Sequence, residues 1–571
     1  MTNNYNISRN QLFQQIIFFF FLLLLALPNF CLAYTERVST LTKACNIIFP
    51  LGIYWLLLTL AKKPGKSMLA LFLLLFFGAF QMVLLYLFGE SVIAVDMFLN
   101  LTTTNSSEAT ELLGSLLPAV IFVVLLYGGA LVLSLISIKK QETLTPSFIK
   151  NQRIAGFCTT MFGIALIICN LLSTPRFAIQ KDIYPINVCY NLYLAIDRDY
   201  RVNHYYDTAA NFKFGTQQSE VTETPQIVVL VVGETSRAAN FGLYGYSRNT
   251  TPDLCQIQKE GNLHVFDKAL TQSNTTHKSV PLILSNIDAA HFDDIYHKKG
   301  VVTAFKEAGF DTYFISNQRR NRSFIDFFGE EADHVLFLTD SIANNAYLHD
   351  GEILPIFKQL VQDTCPTPKF IVIHTYGSHF DYHERYPQAF AYYKPDLAPE
   401  AEAKYRDYLV NAYDNSIRYV DFVISNIIRQ LEDTDKSCAM IYTSDHGEDI
   451  YDDSRNLFLH ASPVPTFYQL WIPYMIWTSD KYNYSHPAVV ENIRSNIHQP
   501  LSSNEATFHT LLSLGNIESD ALVESKSLAS AQYSCTDRYY LNDHNEPVKI
   551  SDIMIDPLDI TMMASHRIPI K

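Results

Sequence analysis

The sequence predicts two unlike parts: an N-terminal transmembrane domain of five helices and a C-terminal α/β domain with a mostly parallel central sheet. Three observations predict this. Long apolar stretches are confined to the first 175 residues, short β-branched runs alternate with amphipathic segments after Pro175, and Asp, Glu and His cluster directly after several of those runs. Strands alternating with helices imply a parallel sheet, and ligands of open α/β sheets bind at the carboxyl ends of the strands. At 571 residues the chain exceeds one ordinary core. The expected division is 1–175 for the membrane domain, 176–225 for a linker with a helix, and 226–571 for the catalytic-looking domain.

Five apolar stretches, Ile16–Ala33, Cys45–Leu60, Met68–Phe88, Leu116–Ile138 and Ile154–Leu172, approach the roughly 20 residues a helical span requires. The first also reads as a signal peptide, with Ile16–Leu27 as its apolar core and Cys31-Leu32-Ala33 as a cleavage site. Either reading puts Tyr34 outside. Lys62, Lys63 and Lys66 follow the second stretch, and Lys139, Lys140, Lys150 and Arg153 follow the fourth. The loop Gly89–Pro118 has no Lys or Arg. Basic loops stay in the cytoplasm, so everything after Pro175 lies on the other side. Within the outer loop, Asn100, Thr104 and Glu108 recur at i, i+4, i+8, one face of a helix, which by itself is most simply a solvated face.

In the second part, Ile227–Val232 is an unbroken apolar run that reads as a strand buried on both faces. It ends in Glu234, and Arg237–Leu243 after it reads as the opening of a helix. Asp311–Ser316, Phe370–His374, Ala439–Thr443 and Tyr474–Trp477 read as further strands, with a possible one at Leu263–Leu270. Val188–Tyr200, Val301–Glu307, Tyr405–Gln430 and Glu505–Leu514 read as helices. A net charge of −14, with no basic stripe, argues against nucleic acid as a partner. Nine cysteines without a C-x-x-C pair make no dense disulfide framework.

The polar clusters carry the chemistry. Asp445-His446 follows a strand, and Asp oxygen with His nitrogen suits Zn²⁺. Gly377-Ser378-His379 follows another, and His460 closes Leu457–His460. Taken singly, Glu234 sits well beside a positive helix end, Asp445 serves as a cap, and each histidine reads as an ordinary hydrogen-bonded one. Taken together they read as a metal site. The hydroxyl-rich Ser273–Pro281 reads either as a helix N-terminus or as a nucleophile loop, where a metal would help a Thr hydroxyl ionise.

These residues together resemble the phosphoethanolamine transferases that act on lipid A and related envelope glycans, the group that includes the mobile colistin-resistance enzymes within the alkaline phosphatase/sulfatase superfamily. The motifs are VVGETSRAANFGLYGYSRNTTP (Val231–Pro252), TTHKSVP (Thr275–Pro281), GSH (Gly377–His379), SDHGE (Ser444–Glu448) and LH (Leu459–His460), and the resemblance covers nearly the whole chain: five spans, a linker helix and an α/β domain. The resemblance implies a sulfatase-like fold on the periplasmic side of the bacterial inner membrane. It implies one or two zinc ions held by Glu234, Thr276, Asp445 and His446, with Thr276 as the nucleophile. It implies that His379 and His460 flank the phosphoryl group or a second metal, and that Asn100, Thr104 and Glu108 help bind ethanolamine. The implied donor is phosphatidylethanolamine and the implied acceptor lipid A or another envelope glycan. A glycerophosphate transferase of the same superfamily and an inactive lipid-binding scaffold are the alternative readings; the nucleophile loop lacks the C/S-x-P-x-R pattern of a sulfatase proper. There are departures from the resemblance. Asn274 and Leu282 stand where flanking cysteines are expected, Phe380-Asp381 stands for Gly-Pro, and the lysine expected near Ser316–Arg322 is replaced by Arg319, Arg320 or Arg322 as nearby cations.

Overall fold

The computed structural model describes residues 9–36, 38–88, 92–103, 119–174, 177–219, 226–341, 348–535 and 537–570. They fall into two compact units, Met1–Asp199 and Tyr200–Lys571.

The first unit is helical: α1 (Arg9–Thr35), α2 (Thr40–Leu58), α3 (Pro64–Ala70), α4 (Phe72–Phe88), α5 (Val95–Thr103), α6 (Ala119–Lys139), α7 (Pro146–Ser173) and α8 (Ile186–Asn203). Among the described residues α1, α2, α6 and α7 are each long and apolar enough to cross a membrane. The third apolar stretch is not one straight helix. It breaks between α3 and α4 with a bend of 71°, giving four straight candidates, or five if the bent pair counts as one. The break has a packing cause. Gly65 lies so close to α6 that a Cβ there would stand 2.2 Å from the Ser134 carbonyl oxygen. The Lys63 ammonium donates to the carbonyls of Ile138 (2.7 Å) and Lys140 (2.6 Å), so α3 is clamped to the end of α6. Buried polar groups also link helices, as expected where lipid replaces water: Asn29 Nδ2 donates to the carbonyls of Asn46 (2.8 Å) and Tyr184 (2.9 Å). Asn100 lies on α5 with its side chain outside the described residues, and Thr104 and Glu108 lie outside them altogether.

The second unit is built on a seven-stranded sheet of β1 (Gln226–Gly233), β2 (Leu263–Phe266), β3 (Asp311–Ser316), β4 (His334–Phe337), β5 (Lys369–His374), β6 (Ser437–Ser444) and β7 (Tyr474–Thr478), in the order β2-β7-β6-β1-β5-β3-β4. The sheet is mixed: β7 runs antiparallel to both neighbours, and the remaining pairings are parallel. β1 lies between β5 and β6, fully buried. Its side chains divide with the two-residue period of a strand: Val228, Leu230 and Val232 enter one core, Ile227, Val229 and Val231 the other. A continuous apolar run is what a strand with helices on both faces requires.

Two local readings change. Leu263–Leu270 is two strands, because the chain turns at Asp267-Lys268; Ala269–Leu270 pairs with Leu501–Ser502 rather than with the main sheet. Arg237–Leu243 forms two short 3₁₀ turns, Ala238–Asn240 and Gly242–Tyr244, instead of a helix, because Arg237 is extended and held by side-chain partners described below.

Candidate metal centre

Glu234 follows β1, Asp445 and His446 follow β6, and Thr276 is the first residue of α9 (Thr276–Ile283). β1 and β6 are adjacent and in parallel register to Gly233↔Ser444, so both strands release their polar residues at the same level. The turn after Glu234 needs Thr235 at φ 57°, a left-handed conformation that costs a β-branched residue on the order of 1–3 kcal/mol. Hydrogen bonds hold it there. The Thr235 N–H donates to Asp445 Oδ1 (3.0 Å), its hydroxyl to Glu234 Oε1 (2.9 Å), and the Tyr413 hydroxyl to its carbonyl (2.7 Å). Gly377 (φ 54°) packs on the backbone of Glu234, where a Cβ would stand 2.5 Å from the Glu234 carbonyl oxygen; only glycine fits.

The four side chains converge. Thr276 Oγ1 donates to Glu234 Oε1 (2.9 Å) and lies 3.1 Å from His446 Nε2. His446 Nε2 lies 3.2 Å from Asp445 Oδ2 and 3.6 Å from Glu234 Oε1. Donors about 2.0–2.1 Å from a tetrahedral zinc ion stand roughly 3.3 Å from one another, so these separations fit one. The ligand atoms of Glu234, Asp445 and His446 all lie within 4.8 Å of one another, and all three residues are buried. His446 Nδ1–H donates to the Gly447 carbonyl (2.9 Å), which fixes the tautomer and leaves Nε2 as a donor atom for metal. Asp445 Oδ2 is buried with no hydrogen-bond partner among the described residues. Burial pushes the Glu234 carboxyl up to about 7, helped by the Asp445 charge, and burial also pushes Asp445 up to about 7. Burial lowers His446 to about 4, so it is a neutral imidazole at pH 7. Two carboxyls and a neutral imidazole, all buried, with one oxygen lacking a hydrogen-bond partner among the described residues, make a donor set suited to a divalent cation.

His379 and His460 border this set: the His460 ring centre lies 4.3 Å from that of His446 and 6.1 Å from that of His379. His379 Nδ1–H donates to the Phe380 carbonyl (2.6 Å), and burial lowers the ring to about 4. His460 Nδ1 pairs with Glu448 Oε1 (3.1 Å), whose other oxygen accepts from the Tyr382 hydroxyl (2.7 Å).

Residues 226–517 match the sulfatase family profile. The chain belongs to the sulfatase family. Phosphoethanolamine transferase EptC of Escherichia coli O18:K1:H7 (strain RS218 / NMEC) is 28% identical over 349 residues, covering 59% of this chain and 58% of that protein. Phosphoethanolamine transferase EptA of Escherichia coli (strain K12) is 29% identical over 300 residues, covering 51% and 53%. The chain thus matches less than two thirds of either relative's length. Among solved structures, the C-terminal periplasmic domain of EcEptC from Escherichia coli in complex with Zn matches 59% of this chain and 96% of that one, with TM-score 0.54 and 26% identity. The integral membrane lipooligosaccharide phosphoethanolamine transferase A (EptA) from Neisseria meningitidis shares the fold over 90% of this chain and 98% of its own, with TM-score 0.69 and 21% identity. That match extends the likeness from the sulfatase-family domain to the helical unit.

In this sulfatase-family chain several supporting residues escape the sequence reading. Gln318 Nε2 donates to Glu234 Oε2 (3.0 Å) and to the Thr375 carbonyl (2.9 Å). It stands in the segment where a lysine is expected, while Arg320 turns to Glu330 (2.5 Å) and Asp340 (3.1 Å) instead. Asp350 accepts from the N–H groups of Tyr376 (2.8 Å) and Gly377 (2.9 Å), shaping the loop that carries His379. Asn274, in a place where a cysteine is expected, donates to the Ser462 carbonyl (2.9 Å) and to Gln469 Oε1 (2.6 Å), and its carbonyl accepts from the Ala461 N–H (3.2 Å). It joins the Thr276 loop to the His460 loop without sulfur. All nine cysteines are unbridged.

The stretch after Glu234 has a structural explanation. Arg237 is buried and donates to both oxygens of Asp452 (2.6 and 3.0 Å), to Asn240 Oδ1 (2.6 Å) and to the Glu448 carbonyl (2.9 Å). Asn240, Tyr246 and Arg248 all donate to Asp414, on the long helix α10 (Arg406–Glu432), at 2.6, 3.0 and 2.8 Å. The segment is a brace between β1 and α10.

Proposed function

We propose that this chain is a zinc-dependent phosphoethanolamine transferase of the bacterial inner membrane, moving phosphoethanolamine from phosphatidylethanolamine to lipid A or another envelope glycan. The observation that carries this reading is the position of Thr276: a hydroxyl at a helix N-terminus, 2.9 Å from Glu234 Oε1 and 3.1 Å from His446 Nε2, among donors suited to a metal. The likeness to phosphoethanolamine transferases EptC and EptA supports the transfer chemistry, and the zinc complex of the EcEptC domain supports the metal.

Glu234, Thr276, Asp445 and His446 would hold one zinc ion, and His379 with His460 would border a second. When bound, zinc supplies the Lewis acidity that lowers the pKa of a ligating hydroxyl. Thr276 Oγ, its proton passed to Glu234 Oε1, to which it is hydrogen-bonded, then attacks the donor phosphorus. The Oγ–P bond forms as the bond to the glycerol oxygen breaks, and diacylglycerol leaves with a proton from His379 or His460. The N-terminus of α9 favours the phosphate beside it. In the second half an acceptor phosphate or hydroxyl oxygen attacks the same phosphorus, its proton passes to a histidine where it carries one, the Oγ–P bond breaks, and Thr276 takes back its proton from Glu234. Asn100, Thr104 and Glu108 would receive the ethanolamine end. In this reading residues 1–175 make five spans, the bent α3–α4 pair counting as one, 176–225 link, and 226–571 act on the periplasmic side. A donor that never leaves the bilayer suits an enzyme with its own membrane domain. The added ethanolamine cation would reduce the attraction of the envelope for cationic peptides such as polymyxin.

The test is intact-protein mass spectrometry after incubation with phosphatidylethanolamine. The expected result is one phosphoethanolamine adduct on Thr276, absent in Thr276→Ala. Turnover with no adduct would remove the covalent step, and preference for phosphatidylglycerol would make the enzyme a glycerophosphate transferase.

A further inference from the structure

Beside the candidate metal centre the ends of three neighbouring strands are tied together by one side chain. Val232 of β1, His374 of β5 and Ser316 of β3 stand in register across the sheet. Just beyond them come Glu234, Thr375 and Gln318. From the end of β3 the Gln318 amide reaches across β5: its Nε2 donates to the Thr375 carbonyl (2.9 Å) and to Glu234 Oε2 (3.0 Å). Both amide hydrogens are thereby used. The reversed amide would set its oxygen against a carbonyl and a carboxylate, so the partners fix its orientation. The backbone of Gln318 is held as well: its N–H donates to Ser316 Oγ (3.1 Å), and its carbonyl accepts from the Thr339 hydroxyl (3.1 Å).

This bond divides the Glu234 carboxyl into two unlike oxygens. Oε1 faces Thr276 Oγ1 (2.9 Å) and His446 Nε2 (3.6 Å), within the candidate donor set. Oε2 is taken by the amide. Asp445 is divided in the same way. Its Oδ1 accepts from the N–H groups of Thr235 (3.0 Å) and His446 (2.7 Å). Its Oδ2 lies 3.2 Å from His446 Nε2 and has no hydrogen-bond partner among the described residues. Each carboxyl thus offers one oxygen, and His446 Nε2 and Thr276 Oγ1 complete a set of the size a tetrahedral zinc ion takes. Calcium takes about six to eight oxygens, often both from one carboxylate, and manganese favours an octahedron of oxygens. The restraint on Asp445 is backbone and persists in any variant, whereas the restraint on the Glu234 carboxylate oxygen Oε2 is a single side chain.

We infer that Gln318 is a positioning residue that confines Glu234 to one-oxygen ligation, and that this makes the site select zinc over cations demanding more oxygen donors. The inference rests on the zinc site proposed above.

The experiment measures the affinity of the full-length, metal-stripped protein in detergent for zinc and, separately, for manganese, by competition with a chromogenic chelator. Wild type is compared with Gln318→Met, which has nearly the length of Gln and no donor, and with Gln318→Asn, whose amide is one methylene short. The expected result is a zinc affinity about 10–100-fold weaker in both variants, with manganese bound as well as before or better because Oε2 is free to ligate. The preference for zinc over manganese should then shrink at least about tenfold. Thermal unfolding of the metal-free proteins checks that they fold, and Gln318→Asn decides the outcome if Gln318→Met does not. An equal loss of affinity for both metals would make Gln318 a merely structural residue and overturn the inference, as would unchanged zinc affinity in both variants. Wild-type protein that takes up no more zinc than Asp445→Asn would overturn the zinc site and this inference together; normal wild-type uptake with unaltered variants overturns this inference alone.

Discussion

Glu234 and Arg237 lie one turn of chain apart, both buried, and their surroundings treat charge in opposite ways. Around Glu234, two carboxyls with raised pKa values share a site with neutral histidines, and one Asp445 oxygen has no partner among the described residues. Around Arg237, the guanidinium meets Asp452 through two hydrogen bonds, stacks on Tyr468 with its centre 4.5 Å from the ring, and holds the Asp452 carboxyl below its ordinary value. One cluster has its charge completed by the protein; the other has donors left over. Buried charge by itself therefore says little about function in this domain, whereas charge left incomplete marks the candidate metal centre.

The largest effect should come from the incomplete cluster. Thr276→Ala is expected to lower transfer by at least about 10³-fold while the domain melts close to wild type, read by a lipid transfer assay and circular dichroism. The complete cluster should fail in the opposite manner. Arg237→Met leaves the buried Asp452 with only the longer Arg406 contact (3.3 Å) as an ion pair, and is expected to cost up to about 3–5 kcal/mol in denaturant unfolding. Asp445→Asn should abolish zinc binding by elemental analysis yet leave the metal-free protein no less stable. Equal stability losses in these two variants would break the comparison. A smaller loss is expected from Glu448→Gln, which loosens the partner of His460: about 10–100-fold in turnover with donor affinity retained. The smallest effect is in pH. In metal-free protein Glu234 and Asp445 bind protons up to about 7, above their values in the unfolded chain, so the native state holds more protons than the unfolded one between about pH 4 and 7. Stability of the metal-free protein should therefore fall as pH rises through that window. Asp452, shifted down, contributes stability that is present throughout the same window and is lost only in stronger acid. Subtracting the melting curve of Asp445→Asn isolates the effect from other raised carboxyls.

The sequence reveals what local pattern determines. β3 at Asp311–Ser316 and the helix Val301–Glu307 appear where their apolar periods put them, because each packs against the core along its whole length. Glu234, Asp445 and His446 stand out because each follows a strand with an apolar run at its centre, buried along its whole length. The edge strand β4 escapes, since His334–Phe337 is largely exposed and has no buried run. The break at α3–α4 escapes as well, because hydropathy records length and not the clamp of Lys63 on α6. Gln318, Asp350 and Tyr382 have roles that depend wholly on which distant segment folds against them, and composition carries no trace of that.

β1 at the centre of the sheet has a consequence for when the proposed metal site can form. The converging side chains come from residues 234, 276, 445 and 446, and the last pair reaches the first only after β6 has joined β1. A chain still emerging during export carries Glu234 and Thr276 long before their partners exist. A metal taken up at the proposed site would therefore have to wait until that central pairing is complete, and metal content would then record finished folding for each individual molecule.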